Sequence, residues 1–278
     1  MMQQGAKDLR GWVAFLSQAE IPVLRQTARD LQTLREDSDK ANPHTIAQVV
    51  ARDPLMTAKL LRYLQQHKRR SQTTELLQVE QALLMLGVEP FFKNLGPTTL
   101  VEDLLHSHVA ALISTLHVVH RSHRASSYAV DWAVRLRDLH FEEVRVAALL
   151  HDMAEILMWC FAPVEMLKIS AMQQQDKTLR SHTAQEQVFG FSLVTLQHEL
   201  VKEWVLPALL LKLMDDANSG QERVRNVLLA VDLARHSAHG WDDAALPDDY
   251  KSIADLLQMK PEQVMHIVNP EQPEKPAA

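Results

Sequence analysis

The stretch VAALLHDMAEILMWCF, residues 146–161, decides how this chain is interpreted, because it places His151 beside Asp152 within an otherwise apolar segment. A buried carboxylate is costly unless a metal, a cation or a hydrogen bond compensates its charge. Neighbouring residues of a helix point about 100° apart, so both side chains can still approach one ion. The pair therefore indicates a metal site or the remnant of one.

The composition of the whole chain favours helices over strands. At 278 residues the chain is long enough for one large or two modest hydrophobic cores. A hydrophobic content of 46% and a charged content of 23% are ordinary for a globular protein. Only 7 glycines and 5% aromatic residues, beside abundant leucine, alanine, glutamine and glutamate, argue against a sandwich or barrel. The sequence therefore predicts an all-α protein.

Charge and cysteine content limit the partners and the location. The formal net charge of -6 gives no general attraction to nucleic acid, and the basic run HKRR, residues 67–70, is more typical of a solvated helix end. The single cysteine, Cys160, excludes an intramolecular disulfide, and its apolar context is typical of an inert core thiol. No apolar run reaches the roughly 18 to 20 residues needed to cross a bilayer, and no secretory signal is visible. We expect a cytoplasmic protein without membrane contact, for which nucleic-acid binding through HKRR is a weak alternative.

Capping signals mark where helices begin and end. Asn42 and Asp53 each precede a proline, which is typical of a capping side chain before the first helical residue. Gly87 is a predicted helix stop. Longer apolar segments follow and predict helices over residues 104–116, 117–136 and 141–161. The end of the chain, NPEQPEKPAA, is polar and rich in proline, so we expect disorder there.

Several segments, in order along the chain, resemble the HDOD domain family. ARDPLMTAKLLRYL at residues 51–64 and VEQALLMLGVEPF at residues 79–91 resemble the N-terminal half of that domain. ALLHDMAEIL at residues 148–157 and ELVKEWVLPALL at residues 199–210 resemble its second half. The positions that carry the resemblance are Asp53, Pro54, Leu55, Leu60 in a shifted slot, Leu61, Ala82, Leu86, Gly87, Trp204 and Pro207. The similarity spans roughly residues 15 to 260.

The resemblance implies a fold and a division of the chain. The fold is the all-α, HD-like helical fold of metal-dependent phosphohydrolases, preceded by an N-terminal helical subdomain. We expect an N-terminal extension at residues 1–14, the N-terminal helical part at 15–108, the HD-like core at 109–240, C-terminal helices at 241–268 and a disordered tail at 269–278. No sensor, receiver or cyclic-dinucleotide module is visible in the sequence, so we expect a stand-alone copy.

The resemblance also implies a function. Most HDOD domains are thought to act as interaction or output domains in bacterial signalling and not as enzymes. We therefore expect a non-catalytic regulatory protein that binds a protein partner and needs no cofactor, with a small ligand or a divalent metal in a degenerate site as a further option. The alternative is a metal-dependent phosphohydrolase, a phosphodiesterase that acts on a nucleotide or cyclic nucleotide. A nucleotide or cyclic dinucleotide is then the expected ligand.

Active HD phosphohydrolases hold a divalent metal with a histidine, the His-Asp pair and a distant aspartate, and the metal activates a bound water. Carried onto this sequence, the resemblance implies the candidate metal ligands His120, His151, Asp152 and Asp232. His117 and His123 are alternates for His120, one helical turn away on either side. Asp232 lies on an apolar helix, where a buried carboxylate needs a partner, and Arg235 one turn later is an alternative to a metal.

The sequence departs from the family's pattern around that site. Positions where binuclear members place further histidines are occupied by Leu193, Asp215 and Asp216. His198 lies five residues beyond the first of these and is expected to face elsewhere on its helix. Ala154 and Glu155 stand where active enzymes usually have glycine and lysine, so an anion replaces a candidate phosphate-binding cation. These departures favour a degenerate site without catalytic residues, in which His151 and Asp152 form an internal hydrogen-bonded pair, with retained metal binding as the alternative.

Overall fold

The computed structural model describes residues 8–37, 39–67, 77–96 and 98–269. These residues are mainly helical, with no β-strand among them beyond one isolated bridge between Val23 and Leu100. The all-α prediction is confirmed. Most of HKRR and nearly all of the proline-rich tail lie outside the described residues, so the predictions made for them stay predictions, as do the predicted segment boundaries.

The order of helices shows where the sequence pattern misjudged helix ends. The helices are α1 (Leu9–Gln18), α2 (Arg25–Glu36), α3 (Pro43–Val50), α4 (Pro54–Gln66), α5 (Val79–Leu86), α6 (Val88–Leu95), α7 (Val101–Leu104), α8 (Val109–Arg135), α9 (Phe141–Leu150), α10 (Met153–Phe161), α11 (Pro163–Gln175), α12 (Ser181–Phe189), α13 (Leu193–Glu203), α14 (Ala208–Leu213), α15 (Glu222–His236), α16 (Leu246–Leu257) and α17 (Pro261–Val268). A short 3₁₀ turn at Asp216–Asn218 precedes α15. Helix α8 runs unbroken through most of two predicted helices, whereas the helix predicted over residues 141–161 is divided into α9 and α10.

Local signals start helices α3 and α4 where the sequence predicts. The side chain of Asn42 accepts a hydrogen bond from the backbone N–H of Thr45 at 3.0 Å. The carboxylate of Asp53 accepts one from the backbone N–H of Leu55 at 2.8 Å. Gly87, with φ of +84°, separates α5 from α6 in a conformation that favours glycine. The side chains of Asn42 and Asp53 thus satisfy backbone N–H groups that the start of a helix leaves unpaired.

Helix α8 packs mainly against helices of the second half of the chain. It packs against α9, α10 and α15. Small buried residues on α8, such as Ala125 and Ala129, allow these neighbours to approach closely. Trp132 on the same helix is 0% exposed, as expected of a packing anchor. These buried residues set the rotation of α8 about its axis and therefore decide which of its polar side chains points toward α10.

A second tryptophan anchors the end of α13. The indole Nε1 of Trp204 donates a hydrogen bond to Oγ of Ser17 on α1 at 3.1 Å. The guanidinium of Arg62 on α4 lies over the indole ring, 5.1 Å from its centroid. Trp204 itself is 4% exposed. The residue thus joins α1, α4 and α13, in agreement with the packing role expected from the sequence.

The apolar segment at residues 146–161 lies in α9 and α10, with His151 and Asp152 at the break between them. Cys160 on α10 is 1% exposed and burial raises the pKa of its thiol, as expected of an inert core cysteine. In the part of the chain that the structure describes, no single helix is long and apolar enough to cross a membrane. One pair, Phe141–Phe161 with Pro163–Gln175, reaches that length and hydropathy only when joined across a 112° bend.

Candidate functional site

His151 and Asp152 form a hydrogen-bonded pair at the break between α9 and α10. Nδ1 of His151 lies 3.1 Å from Oδ1 of Asp152. Asp152 is 8% exposed, so its carboxylate is largely removed from water. In a continuous helix these neighbouring side chains would point about 100° apart. The break brings them together, and the structure shows the internal pair that the sequence analysis favours.

Arg121 on α8 supplies the cation that this carboxylate needs. Its Nε and Nη2 atoms donate to Oδ2 of Asp152 at 3.0 and 2.6 Å. Nη2 also donates to Oε2 of Glu155 at 2.9 Å. Charge-assisted bonds of this kind are about twice as strong as neutral ones. Arg121 is not among the site residues predicted from the sequence, although the need of a buried carboxylate for a cation was a usable signal.

The surrounding charges decide the protonation state of the pair. Burial acts to raise the pKa of Asp152, but Arg121, the hydrogen bond from His151 and the charge of Arg235 hold that pKa well below its usual range. Burial likewise acts to lower the pKa of the Arg121 guanidinium, and Glu155 and Asp152 outweigh it and raise that pKa. At neutral pH, Arg121 and Asp152 therefore form a fully charged ion pair.

Arg235 on α15 lies between the pair and Asp232. Its Nη2 atom is 3.6 Å from Oδ1 of Asp152, and its Nη1 atom is 3.7 Å from Oδ1 of Asp232. Asp232 therefore contacts Arg235, which the sequence left open as the alternative to a metal. The side chain of Asp232 is 44% exposed, however, so the expectation of a buried carboxylate is wrong. Asp232 lies at the edge of the packed face of α15, where water can solvate it.

His120 lies on an exposed part of α8, one position before Arg121. Its charge acts on His123, whose pKa is lowered first by burial and then by His120, Arg52 and Arg145. These histidines therefore share their surroundings with basic side chains. Arg121, and not His120, is the residue of α8 that reaches the His151–Asp152 pair.

The residues at the pair do not fit a divalent metal in the arrangement that the structure shows. Oδ2 of Asp152 accepts both hydrogen bonds from Arg121, and Oδ1 faces His151. Across the described residues, no group of three or more histidine, cysteine, aspartate or glutamate side chains is placed to hold a metal ion. The structure joins His151 and Asp152 and does not bring His120 and Asp232 to them as further ligands.

Gln197 on α13 supports the break between α9 and α10. Its Oε1 atom accepts a hydrogen bond from the backbone N–H of Ala154 at 2.7 Å, and its Nε2 atom donates one to the backbone carbonyl of Leu150 at 2.9 Å. Gln197 is 4% exposed. Because a helix break leaves backbone groups without their usual partners, this amide replaces the missing bonds. Gln197, which lies one helical turn after Leu193, is not among the residues predicted from the sequence.

Replacing Gln197 with methionine is expected to lower the free energy of unfolding by about 2 kcal/mol, because two buried backbone groups lose their partners while the side chain keeps a similar volume. Urea unfolding followed by circular dichroism measures the change. Gln187→Met, at an exposed position of α12, is the matched control. A loss no larger than that of the control would contradict the supporting role of Gln197.

A cavity of about 570 Å³ lies beside the pair. Its wall contains side chains from α8, α10, α11, α12, α13 and α15. Small-molecule sites commonly have volumes of about 300–1,000 Å³. The cavity is therefore large enough for a ligand as well as for water.

The cavity also shows where other predicted positions lie. His198 belongs to its wall together with His151, so the expectation that His198 faces elsewhere is wrong. Helix α13 runs along the wall, and several of its side chains reach the same space. Leu193, 5% exposed, adds apolar surface there. Asp215 instead accepts a hydrogen bond from the backbone N–H of Ala217 at 3.0 Å and so begins the short 3₁₀ turn.

Two solved structures share the fold over almost the whole chain. The MmoQ response regulator of Methylococcus capsulatus matches with a TM-score of 0.67 and 18% sequence identity, covering 91% of this chain and 99% of that one. A virulence factor of Campylobacter jejuni matches with a TM-score of 0.67 and 18% identity, covering 94% of this chain and 92% of that one. At such identities the likeness shows the fold alone. Comparison with curated protein sequences gave no match.

The sequence itself identifies the family. The family model of the HDOD domain matches residues 21–219, which include the Asp53-Pro54 helix start, the His151–Asp152 pair and Trp204. The match covers well over half of the chain and agrees with the resemblance found in the separate segments. This chain belongs to the HDOD domain family.

Proposed function

We propose that this chain is a non-catalytic regulatory protein that acts by binding a protein partner. The observation that carries the proposal is the ion pair between Arg121 and Asp152, with donor–acceptor distances of 3.0 and 2.6 Å. A metal-dependent hydrolase of the HD type uses this carboxylate to hold its metal. Here an arginine of the protein itself compensates the carboxylate, so the pair has a structural role.

Metal binding would have to displace this arginine. A divalent ion at Asp152 would lie within a few ångströms of the guanidinium and would be repelled by it. Moving Arg121 away would also separate it from Glu155, to which it is bonded at 2.9 Å, and would leave buried charges uncompensated. Arg121 is already bonded to two carboxylates and is poorly placed to bind a phosphate group as well.

Family membership supports the regulatory part of the proposal, and one protein of the same fold is called a response regulator. Helical surfaces bind partner segments in grooves between helices. We therefore propose a protein partner in a signalling pathway and a cytoplasmic location, with no requirement for a cofactor. Pull-down from the source cell with the full chain should recover such a partner. Recovery of none, together with robust phosphodiester hydrolysis, would contradict the proposal.

Metal content tests the proposal directly. We expect purified protein that has been incubated with Mn²⁺, Fe²⁺ or Zn²⁺ and then desalted to retain less than stoichiometric metal by elemental analysis. Asp152→Asn should not change that content, because Asp152 is bonded to Arg121. The exposed-site variant Asp39→Asn serves as the control. Stoichiometric metal that is lost in Asp152→Asn but kept in Asp39→Asn would overturn the proposal.

The alternative is a metal-dependent phosphohydrolase that acts on a nucleotide or cyclic nucleotide. It is favoured by the retention of His151 and Asp152 beside a cavity of about 570 Å³. Hydrolysis of bis-p-nitrophenyl phosphate with added Mn²⁺ distinguishes the two functions. We expect the wild type to show no more turnover than His151→Gln. Turnover that disappears in His151→Gln would establish the phosphohydrolase.

A further inference from the structure

We propose that the cavity beside the His151–Asp152 pair binds a small organic anion whose body is apolar. The inference rests on the proposed non-catalytic role of the site and adds the class of ligand that the site would sense. The cavity has a volume of about 570 Å³, which suits a molecule larger than an inorganic ion. Its wall contains both buried apolar side chains and basic side chains.

Buried hydrophobic side chains form the apolar part of the cavity wall. Each is at most 6% exposed, and they come from α10, α11, α13 and the residue after α14. They are Trp159, Met166, Ile169, Leu193 and Met214. A thioether and an indole adapt well to flat, polarisable groups. These side chains therefore favour an aromatic or aliphatic body over a fully polar ligand.

The acidic groups of the wall are outnumbered by its arginines. Asp152 and Glu155 are the carboxylates that line the cavity, and Arg121 is bonded to both of them. Arg121 therefore balances one of their two negative charges. Arg180 and Arg235 add two positive charges, so the arginines of the wall exceed its carboxylates by one.

These two arginines retain donors for a ligand. The guanidinium of Arg235 contacts Asp152 and Asp232 only at 3.6 and 3.7 Å, longer than ordinary hydrogen bonds, and its side chain is 46% exposed. The side chain of Arg180 makes no ion pair or hydrogen bond within the described parts of the chain, and the residue is exposed. An anionic group that reaches either side chain would gain a charge-assisted hydrogen bond.

The start of α12 adds hydrogen-bond donors beside Arg180. Ser181 and His182 begin this nine-residue helix and line the cavity directly after Arg180. No side chain caps the first turn of α12, so its backbone N–H groups and the positive end of the helix dipole remain available. Nε2 of Gln173 on α11 donates to Oγ of Ser181 at 3.0 Å and holds the helix start against the cavity. The anionic group is therefore placed near Arg180.

Fluorescence titration with anilinonaphthalene sulfonate, an aromatic anion, tests the inference on the full chain. We expect saturable binding of one probe molecule per chain. Arg180→Gln should raise the Kd about tenfold, the size expected for loss of one charge-assisted hydrogen bond. Arg29→Gln, at an exposed position of α2 outside the cavity wall, should leave the Kd unchanged. Ser170→Trp should abolish binding by filling the cavity from α11.

A neutral probe distinguishes the contribution of charge to the binding affinity from that of apolar contact. Phenylnaphthylamine has the same aromatic body without the sulfonate, and we expect it to bind at least tenfold more weakly than the anion, with no response to Arg180→Gln. Equal binding of the two probes, equal effects of Arg180→Gln and Arg29→Gln, or unchanged binding in Ser170→Trp would each overturn the inference. Circular dichroism and urea midpoints of every variant show that the native fold is kept.

The outcomes remain distinct from those for the proposed function. Probe binding in protein without metal or diester hydrolysis supports both proposals. Probe binding in protein that also hydrolyses the diester leaves the anion site in place and overturns the non-catalytic role. Absence of probe binding in protein without metal or hydrolysis overturns the anion site alone.

Discussion

Replacing Asp152 with alanine is expected to lower the free energy of unfolding by about 3–5 kcal/mol, the usual cost of removing one partner from a buried ion pair. The variant leaves the guanidinium of Arg121, whose side chain is 16% exposed, with Glu155 as its remaining bonded carboxylate. It also removes the hydrogen-bond partner of His151, now at 3.1 Å. Urea unfolding followed by circular dichroism measures the loss.

Asp232→Ala provides the matched control for Asp152→Ala. Asp232 also contacts an arginine, Arg235, but its side chain is 44% exposed and the two charged atoms are 3.7 Å apart. Solvent screens such pairs, and their removal typically costs less than about 1 kcal/mol. Equal losses in the two variants would show that the buried network contributes no more than an exposed ion pair.

The pH dependence of stability follows from the lowered pKa of Asp152. The ionised carboxylate contributes stability that is fully present above the unfolded-state pKa, about 3.9, and that is lost as the pH falls through the lower folded-state pKa. We expect the stability difference between the wild type and Asp152→Asn to be constant from about pH 5 to 8 and to shrink below about pH 4. A difference that grew toward acid pH would contradict the assigned direction.

Replacing Asp53 with alanine is expected to cost about 3 kcal/mol or more, because this carboxylate both caps α4 and holds α2. One oxygen, Oδ1, accepts hydrogen bonds from the backbone N–H groups of Leu55 and Met56 at 2.8 and 3.1 Å. The other, Oδ2, accepts one from the backbone N–H of Leu24, directly before α2, at 3.0 Å. Asp53 is 0% exposed, so water cannot replace the lost partners. The free energy of urea unfolding measures the effect.

Asp8→Ala is the control that measures the cost of losing a helix cap at an exposed position. Asp8 caps α1 by accepting a hydrogen bond from the backbone N–H of Gly11 at 2.8 Å, but it is exposed. Loss of an exposed cap typically costs about 1 kcal/mol. If Asp53→Ala cost no more than Asp8→Ala, the link from Asp53 to α2 would contribute nothing to stability.

Local sequence signals predicted the framework well. Asn42 and Asp53 mark helix starts through bonds to residues two or three positions away, and Gly87 marks a helix end through its own backbone conformation. Such features depend on neighbours along the chain, so a single sequence contains them. The same holds for the ordered motifs that indicate the HDOD family, although α8 and the α9–α10 break show that apolar pattern alone misplaces helix ends.

The contacts of the candidate site could not be predicted in the same way, because they join residues that are distant along the chain. Changing the rotation of α8 by one residue, about 100°, decides whether His120 or Arg121 reaches Asp152. Packing of Ala125 and Trp132 against neighbouring helices sets that rotation. No pattern of spacing along α8 contains this information.

By itself, the sequence determined the all-α class, the family and the adjacency of His151 and Asp152, because local propensity and ordered motifs suffice for these. Only the tertiary structure decided that Arg121 neutralises Asp152 and that Gln197 bridges the break between α9 and α10. Both depend on how separate helices are rotated and placed against one another. Close packing of side chains from the whole core fixes those placements.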